Sequence, residues 1–251
     1  MSAPLFLLEE GALAAVEAGD SVALGGPEGH HAVTVSRMRP GQPILLADGS
    51  GALAACRVAD VGKGVLSATI DSITVEPVPR PRFTLIQALA KGDRDLLAAE
   101  VGTELGVDEV VPWEADRSIV RWRGERAEKA QRKWRNTLVA ATKQARRSRV
   151  PVLGAVADRS AVVDRIAAAD LAFVLHESAR TPLSTVLPEE LPTHGEILLI
   201  VGPEGGISVE ELSEFVEAGA RAVLLGSTVL RTSTAGSAAI AVLSSLGRWR
   251  G

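Results

Sequence analysis

Two loops near the C-terminus constrain this chain most, because each follows a short apolar segment typical of a buried strand. The stretch from residue 197 to 241 predicts, in order, a strand at Ile197–Val201, a glycine-rich turn, a helix from Ser208 through Glu217, a strand at Ala222–Leu225 and a small-residue helix at Ala235–Leu246. In open α/β sheets, ligands bind beyond the carboxyl ends of the strands, where helix N-termini present unpaired backbone groups. We therefore predict a ligand crevice between the two loops.

The chain before this stretch divides into two patterns. Residues 1–75 contain short apolar runs separated by Gly and Pro turns, which predicts a small β-barrel or sandwich, with helical periodicity only at Glu9–Ala18. The proline-rich segment 76–82 predicts a linker, since proline fixes φ and removes a backbone donor. From residue 83 to 251 strands and helices alternate, including a long basic helix at Glu125–Arg147, which predicts an α/β domain with a parallel sheet.

Charge is distributed unevenly, although the net charge is only −4. Residues 117–149 carry twelve Lys and Arg against two Glu, whereas residues 1–79 carry four basic residues against nine acidic ones. Such a run indicates either a solvated helix face or a surface for phosphate contact.

Cysteine and histidine usage restricts the chemistry. Cys56 is the only cysteine, so neither an internal disulfide nor a thiolate metal cluster is possible, and the four histidines show no metal-ligand spacing. No signal segment and no apolar run of about 18 residues is present. We expect a cytoplasmic protein without a metal or a membrane span.

The first loop, VGPEGG at residues 201–206, is neither a dinucleotide fingerprint nor a P-loop. It is consistent with a plain tight turn, but Glu204 stands where a neutral residue would serve and offers a polar group to a ligand. In the second loop, Arg231 lies between an apolar strand and a small-residue helix, where it requires an anion or solvent. His176 follows another strand and points to the same sheet edge, as a cap or as a ligand contact.

The two loops together carry a family resemblance. LLIVGPEGGIS (198–208) and LLGSTVLRTSTA (224–235) resemble the cofactor-binding motifs of the 16S ribosomal RNA uracil-N3 methyltransferases, which belong to the SPOUT class. Further similarity covers residues 29–51, 91–122 and 133–153. The resemblance implies a trefoil-knotted domain that binds S-adenosyl-L-methionine, an N-terminal PUA-like β-barrel domain, a homodimer, and 16S ribosomal RNA in the 30S subunit as the partner.

The resemblance and the chemistry of methyl transfer together give the expected site residues. Arg231 and Glu204 are expected to be catalytic: Arg231 stabilises negative charge on O2 or O4 of the uracil, and Glu204 orients the cofactor or the base or accepts the N3 proton. The expected cofactor-binding residues are His176, Gly202, Pro203, Glu204, Gly205, Gly206, Leu225, Gly226 and Leu230. The expected RNA-binding residues are His31, Arg37, Arg39, Arg132, Arg146 and Arg147.

Two alternatives remain open from the sequence. Members of the family usually have Glu where this chain has Ser233, and this departure is the best support for the first alternative to methyl transfer to a uridine N3, a catalytically silent dimeric protein that binds RNA during ribosome assembly. A metabolic enzyme with a Rossmann-like nucleotide site is disfavoured by the missing glycine fingerprint and by the basic helix. The C-terminal small-residue helix is equally consistent with burial inside one chain and burial at a dimer interface.

Overall fold

A computed structural model describes residues 3–187 and 191–249. Within them, the chain divides into two compact units, Met1–Val78 with Thr142–Val150, and Pro79–Ala141 with Pro151–Gly251. The sequence placed the whole of 83–251 in one domain, so residues 142–150 group differently from that expectation. The physical reason is backbone pairing, since Gly51 N donates to Ser148 O at 3.2 Å and Val150 N donates to Gly49 O at 3.0 Å.

The N-terminal unit is built on a five-stranded sheet in the order β1-β3-β4-β5-β2. Its elements are β1 (Leu5–Leu7), β2 (Ser21–Leu24), α1 (Gly26–His30), a π-helical turn (His31–Val35), β3 (Pro43–Ala47), β4 (Ala52–Val61) and β5 (Leu66–Val75). The strands predicted here are confirmed. The helical periodicity at Glu9–Ala18 gives only turns, and the segment read as a GGPEGHH turn contains α1 instead.

The second unit is built on a six-stranded, wholly parallel sheet in the order β11-β9-β10-β6-β7-β8. Its elements are β6 (Arg82–Ala88), α2 (Arg94–Glu104), β7 (Glu109–Trp113), α3 (Glu125–Gln144), whose last residues join the first unit, β8 (Val152–Leu153), α4 (Arg159–Ala168), β9 (Leu171–Leu175), α5 (Leu183–Val186), β10 (Glu196–Val201), α6 (Val209–Glu217), β11 (Arg221–Val223) and α7 (Thr232–Leu246). The predicted parallel α/β architecture is confirmed.

The register of the sheet determines which loops meet. Val201 at the end of β10 pairs with Leu175 of β9 on one side and with Gln87 of β6 on the other. Gly202 and His176 therefore follow neighbouring strands at the same level. Val223 of β11 also pairs with Leu175, which brings the second loop to the same edge.

Helix α7 is buried against its own chain. It begins at Thr232, earlier than predicted, because Arg231 takes the extended N-cap conformation. It packs against α2, β6 and β10, and its buried residues are Thr232, Ser233, Ala235, Gly236, Ser237, Ala239, Ile240, Leu243 and Ser244. Packing within the chain thus accounts for most of its small-residue surface.

No helix in the described residues is long and apolar enough to cross a membrane.

Gly236 gives a test of this packing. A Cβ built there would lie 2.7 Å from Leu85 Cδ1 and 3.4 Å from Val201 Cγ2, and Leu85 is fully buried, so it cannot swing away. In an open helix Gly→Ala stabilises by about 1 kcal/mol. Here we expect Gly236→Ala to destabilise by about 1–3 kcal/mol in urea unfolding.

This prediction depends on whether Gly236→Ala lowers or raises the free energy of unfolding. The same substitution in a Leu85→Ala background should cost less, because the clash is removed. A Gly236→Ala protein more stable than the wild type would contradict the close contact between α7 and β6.

Candidate functional site

A cavity of about 660 Å³ opens at the carboxyl edge of the sheet in the second unit. Its size is typical of small-molecule sites. All the residues expected to bind cofactor or to act in catalysis line it: His176, Gly202, Pro203, Glu204, Gly205, Gly206, Leu225, Gly226, Leu230 and Arg231. The structure therefore brings the two sequence motifs together in one cavity. Their roles remain predictions.

The first loop is shaped by close packing. A Cβ at Gly202 would lie 2.6 Å from Ile207 Cγ1, and Ile207 is buried, so only glycine fits. Gly206 has φ +75°, in the left-handed region that favours glycine. Ser208 then begins α6 with a capping box, accepting from Glu211 N at 3.1 Å while its own N–H donates to Glu211 Oε2 at 2.9 Å. The helix start predicted at Ser208 is confirmed.

The second loop presents unpaired donors. Within the described part of the chain, the backbone N–H groups of residues 225–231 donate no hydrogen bond. A Cβ built on Gly226 would meet nothing within 4 Å, so open space lies over this loop. Leu225 is half-buried and residues 226–231 are exposed, so water satisfies these N–H groups until a ligand with acceptor atoms replaces it. The loop is therefore suited to a ligand rich in acceptors.

A buried hydrogen-bond chain connects the two loops, and no pattern in the sequence predicts it. Thr232 Oγ1 donates to Gly202 O at 2.7 Å and accepts from Gln87 Nε2 at 2.8 Å. Gln87 is fully buried and Thr232 is 7% exposed. Because the threonine has one hydrogen and the carbonyl can only accept, the direction of the chain is fixed. The start of α7 is thereby held on the glycine loop.

The Glu204 carboxylate is ion-paired. Its Oε1 accepts from Arg94 Nη1 at 2.7 Å and from Lys91 N at 3.2 Å. Partial burial acts to raise the pKa of this carboxyl, but hydrogen bonds from its own backbone N–H, Arg94 and Lys91 outweigh it and lower the pKa below 4.5. A carboxylate stabilised in this way is a weak proton acceptor. These contacts fit a structural role for Glu204 better than a base.

His176 is half-buried at the end of β9. Its Nδ1 accepts from Ser178 N at 3.2 Å and lies 2.8 Å from Ser178 Oγ. Because a backbone N–H can only donate, Nδ1 is the acceptor and the proton lies on Nε2. His176 N donates to Val223 O at 3.0 Å, which holds this residue against the end of β11, the strand before the second loop.

Two further arginines, Arg94 and Arg117, line the cavity and were not among the predicted site residues. Arg117 follows β7, so the carboxyl-edge rule that identified His176 could have found it. Ser233, by contrast, is buried and does not line the cavity. The Ser233 side chain therefore contributes nothing to the cavity wall.

The predicted RNA-binding residues fall in both units. Arg37 and Arg39 are exposed in the N-terminal unit, which also contains Arg146 and Arg147. His31 is half-buried there, edge-on to Phe6 and 3.3 Å from Lys143 Nζ. Arg132 lies on α3 in the second unit, exposed and 3.8 Å from Glu128. His31 therefore already contacts other side chains of this protein. Its role in binding RNA remains a prediction.

Among residues 3–187 and 191–249, no group of His, Cys, Asp and Glu is placed to hold a metal ion.

Thr232→Val tests the buried hydrogen-bond chain. The substitution keeps the shape but removes the partner of Gly202 O and leaves Gln87 Nε2 with only its 3.2 Å bond to Ala88 O, so we expect a loss of about 1–3 kcal/mol of unfolding free energy in urea. Thr232→Ser retains the hydroxyl and should recover most of that loss. Equal stabilities of the Val and Ser variants would show that the hydroxyl does not hold the two loops together.

The Glu204 ion pair predicts a pH dependence. Because the folded-state pKa is lowered, the stability it contributes is present above about pH 5 and is lost as the pH falls through the folded pKa. The difference in thermal midpoint between wild type and Glu204→Gln should therefore shrink as the pH falls through the lowered folded-state pKa of this carboxyl. In an Arg94→Gln background this pH-dependent difference should become smaller, because the backbone N–H groups of Glu204 and Lys91 still lower the pKa but Arg94 no longer does. A difference that does not change with pH would contradict the ion pair.

Known proteins are similar to this chain in both sequence and fold. A family model described as an RNA methyltransferase domain matches residues 77–244, and one described as an RNA methyltransferase PUA domain matches residues 24–71. A ribosomal RNA small subunit methyltransferase E from Mycobacterium bovis is 40% identical over 238 residues, covering 93% of this chain and 90% of that protein.

Two solved structures extend the comparison. A ribosomal RNA small subunit methyltransferase E from Neisseria gonorrhoeae, bound to S-adenosyl methionine, is 30% identical with a TM-score of 0.82, and a Legionella pneumophila protein described as a methyltransferase, with bound SAM, is 28% identical with a TM-score of 0.84. Each match covers 98% of both chains. The expected fold class, a SPOUT-type α/β domain with a PUA-like N-terminal domain, is confirmed. The chain belongs to the ribosomal RNA small subunit methyltransferase E family.

Proposed function

We propose that this protein transfers a methyl group from S-adenosyl-L-methionine to N3 of one uridine in the 16S ribosomal RNA of the 30S subunit. The observation that carries the proposal is the convergence of both loops, at residues 202–206 and 225–231, on one cavity. The relative with bound S-adenosyl methionine supports the choice of cofactor.

The cavity fits that cofactor chemically. The unpaired backbone N–H groups of residues 225–231 match the acceptor atoms of an adenosyl group, and the open space over Gly226 allows close approach. We assign the cofactor to His176, to Gly202, Pro203, Gly205 and Gly206 of the first loop, and to Leu225, Gly226 and Leu230 of the second. When bound, the cofactor supplies an electrophilic methyl group on a sulfonium centre.

Arg231 is assigned to the uracil. N3 of a paired uridine is hidden, so the base must be unpaired or flipped to reach the cavity. Its N3–H must be lost for N3 to act as a nucleophile, and negative charge then develops on O2 and O4. The Arg231 guanidinium is exposed on the cavity wall and pairs with no carboxylate among the described residues, so it is available to stabilise that charge.

Glu204, predicted as catalytic and cofactor-binding, is assigned here to holding the Lys91–Arg94 segment against the cavity through its ion pair. The RNA would be held by His31, Arg37, Arg39, Arg132, Arg146 and Arg147. Three of these residues, Arg132, Arg146 and Arg147, lie in the basic stretch at residues 117–149.

A trefoil knot, a homodimer and a cytoplasmic location belong to the same proposal. After the edge strand β11 the chain returns to the middle of the sheet, where α7 packs on β6 and β10, and this path is compatible with a knot. Leu97 on α2 is 44% exposed, and Ala238, Ala241 and Val242 on the neighbouring α7 are half-buried, which favours a second copy on this face. Sedimentation equilibrium measures the dimer directly.

Methyl transfer to 30S subunits tests the function. The wild type should incorporate labelled methyl into 16S RNA, with N3-methyluridine as the product on digestion. Arg231→Ala should lower kcat by about a hundredfold, since it removes a charge that acts on the developing anion. Its cofactor Kd, measured by titration calorimetry, should change by less than about threefold.

The outcomes separate the alternatives. Cofactor binding without transfer to any RNA would favour the silent RNA-binding protein. Equal losses of cofactor affinity and kcat in Arg231→Ala would remove its assignment to the uracil and place it among the cofactor contacts.

A further inference from the structure

Arg117 stands at the mouth of the cavity on a rigid segment. Its neighbour Asp116 is fixed from both ends, since its N–H donates to Glu211 Oε1 at 2.7 Å and its Oδ2 accepts from Ser208 Oγ at 2.9 Å. On the other side, Ser118 Oγ donates to Leu89 O at 3.0 Å. Glu211 and Ser118 are buried, so these bonds are shielded from water.

The glycine loop and Arg117 are fitted to each other. A Cβ at Gly205 would lie 3.2 Å from Arg117 Cβ and 3.3 Å from Arg117 O, which is tighter than ordinary contact. Arg117 Nη1 donates to Gly205 O at 3.2 Å. The guanidinium is thereby directed along the first loop at the cavity mouth, although the residue is exposed.

The charge of Arg117 is not neutralised within the described residues. Arg94, on the same cavity, pairs with Glu204, and nearby Arg123 and Arg159 pair with Glu114 and with Asp116 and Glu214. Arg117 makes one bond to a carbonyl and pairs with no carboxylate in the described part of the chain. A rigidly held arginine with its charge unused is suited to bind an oxyanion.

We propose that Arg117 binds a backbone phosphate of the RNA strand whose uridine enters the cavity. The inference rests on the proposed function and adds a substrate contact to it. A phosphate is too costly to bury, so when a base enters the cavity its backbone remains at the rim. Arg117 is exposed at that rim, and Arg231, also unpaired among the described residues, lines the same cavity. In this arrangement Arg117 binds the backbone phosphate of the target nucleotide, and Arg231 contacts its base.

Arg117→Gln tests the assignment. We expect the Kd for 16S RNA, measured by filter binding, to rise about tenfold, and the slope of log K against log salt to decrease by about 0.7, as for one lost phosphate contact on a single strand. The KM for 30S subunits should rise with it, while kcat and the cofactor Kd change by less than about twofold. Arg117→Lys keeps the charge and should retain the salt slope with part of the affinity.

Arg221→Gln is the matched control, since it removes the same charge from an exposed residue of β11 outside the cavity lining. Its RNA affinity should stay within about twofold of the wild type. Equal effects of Arg117→Gln and Arg221→Gln would overturn the proposal, as would a weaker cofactor Kd with unchanged RNA binding, which would assign Arg117 to the cofactor carboxylate. If the wild type transferred no methyl group, the proposed function would fail, but RNA binding by the variants would still decide the phosphate contact.

Discussion

The hydroxyl of Thr232 makes the two hydrogen bonds on which the geometry of the site depends. It joins the carbonyl of Gly202, at the end of β10, to the buried amide of Gln87, on the neighbouring strand β6. Because Thr232 is the first residue of α7, the same contact places the helix N-terminus, and Arg231 before it, against the glycine loop. One hydroxyl thus fixes the separation of two loops that lie far apart in sequence. The close contact of Gly236 with Leu85 maintains the same approach one turn further along the helix.

Polar contacts around the cavity divide into those that hold the walls and those that remain available. Glu204 with Arg94, and Glu211 with Asp116 and Ser208, hold loops in place. The N–H groups of residues 225–231 and the Arg231 guanidinium find no such partner in the described residues, and the Arg117 guanidinium bonds there only to the carbonyl of Gly205. This division is expected for a preorganised site, where rigid surroundings aim unused donors and charges at a ligand. It supports a reaction that depends on positioning two substrates rather than on covalent catalysis.

Local signals in the sequence predicted local structure well. The capping box at Ser208, the apolar strand at Ile197–Val201 and the glycine turn after it need only near neighbours, so their pattern was sufficient. The start of α7 was missed because a run of hydroxyl residues is typical of a loop or a helix cap. The partners of Thr232, Gln87 on β6 and Gly202 after β10, lie far away in sequence. The helical periodicity at Glu9–Ala18 failed because Gly11 takes the left-handed conformation, with φ +75°, and this interrupts a helix near its start.

The sequence by itself determined the parallel α/β class, the carboxyl-edge location of the site and, through its two motifs, the family and the residues around the cavity. Only the tertiary structure decided that Gln87 and Thr232 connect the loops and that Glu204 forms an ion pair with Arg94. It also decided that Ser233 is buried away from the cavity and that Arg117 lines the cavity. The physical reason is that strand order and register are set by burial and pairing over the whole sheet. A charged side chain shows its role only when its neighbours are known, because the same arginine can neutralise a carboxylate or remain available for a substrate.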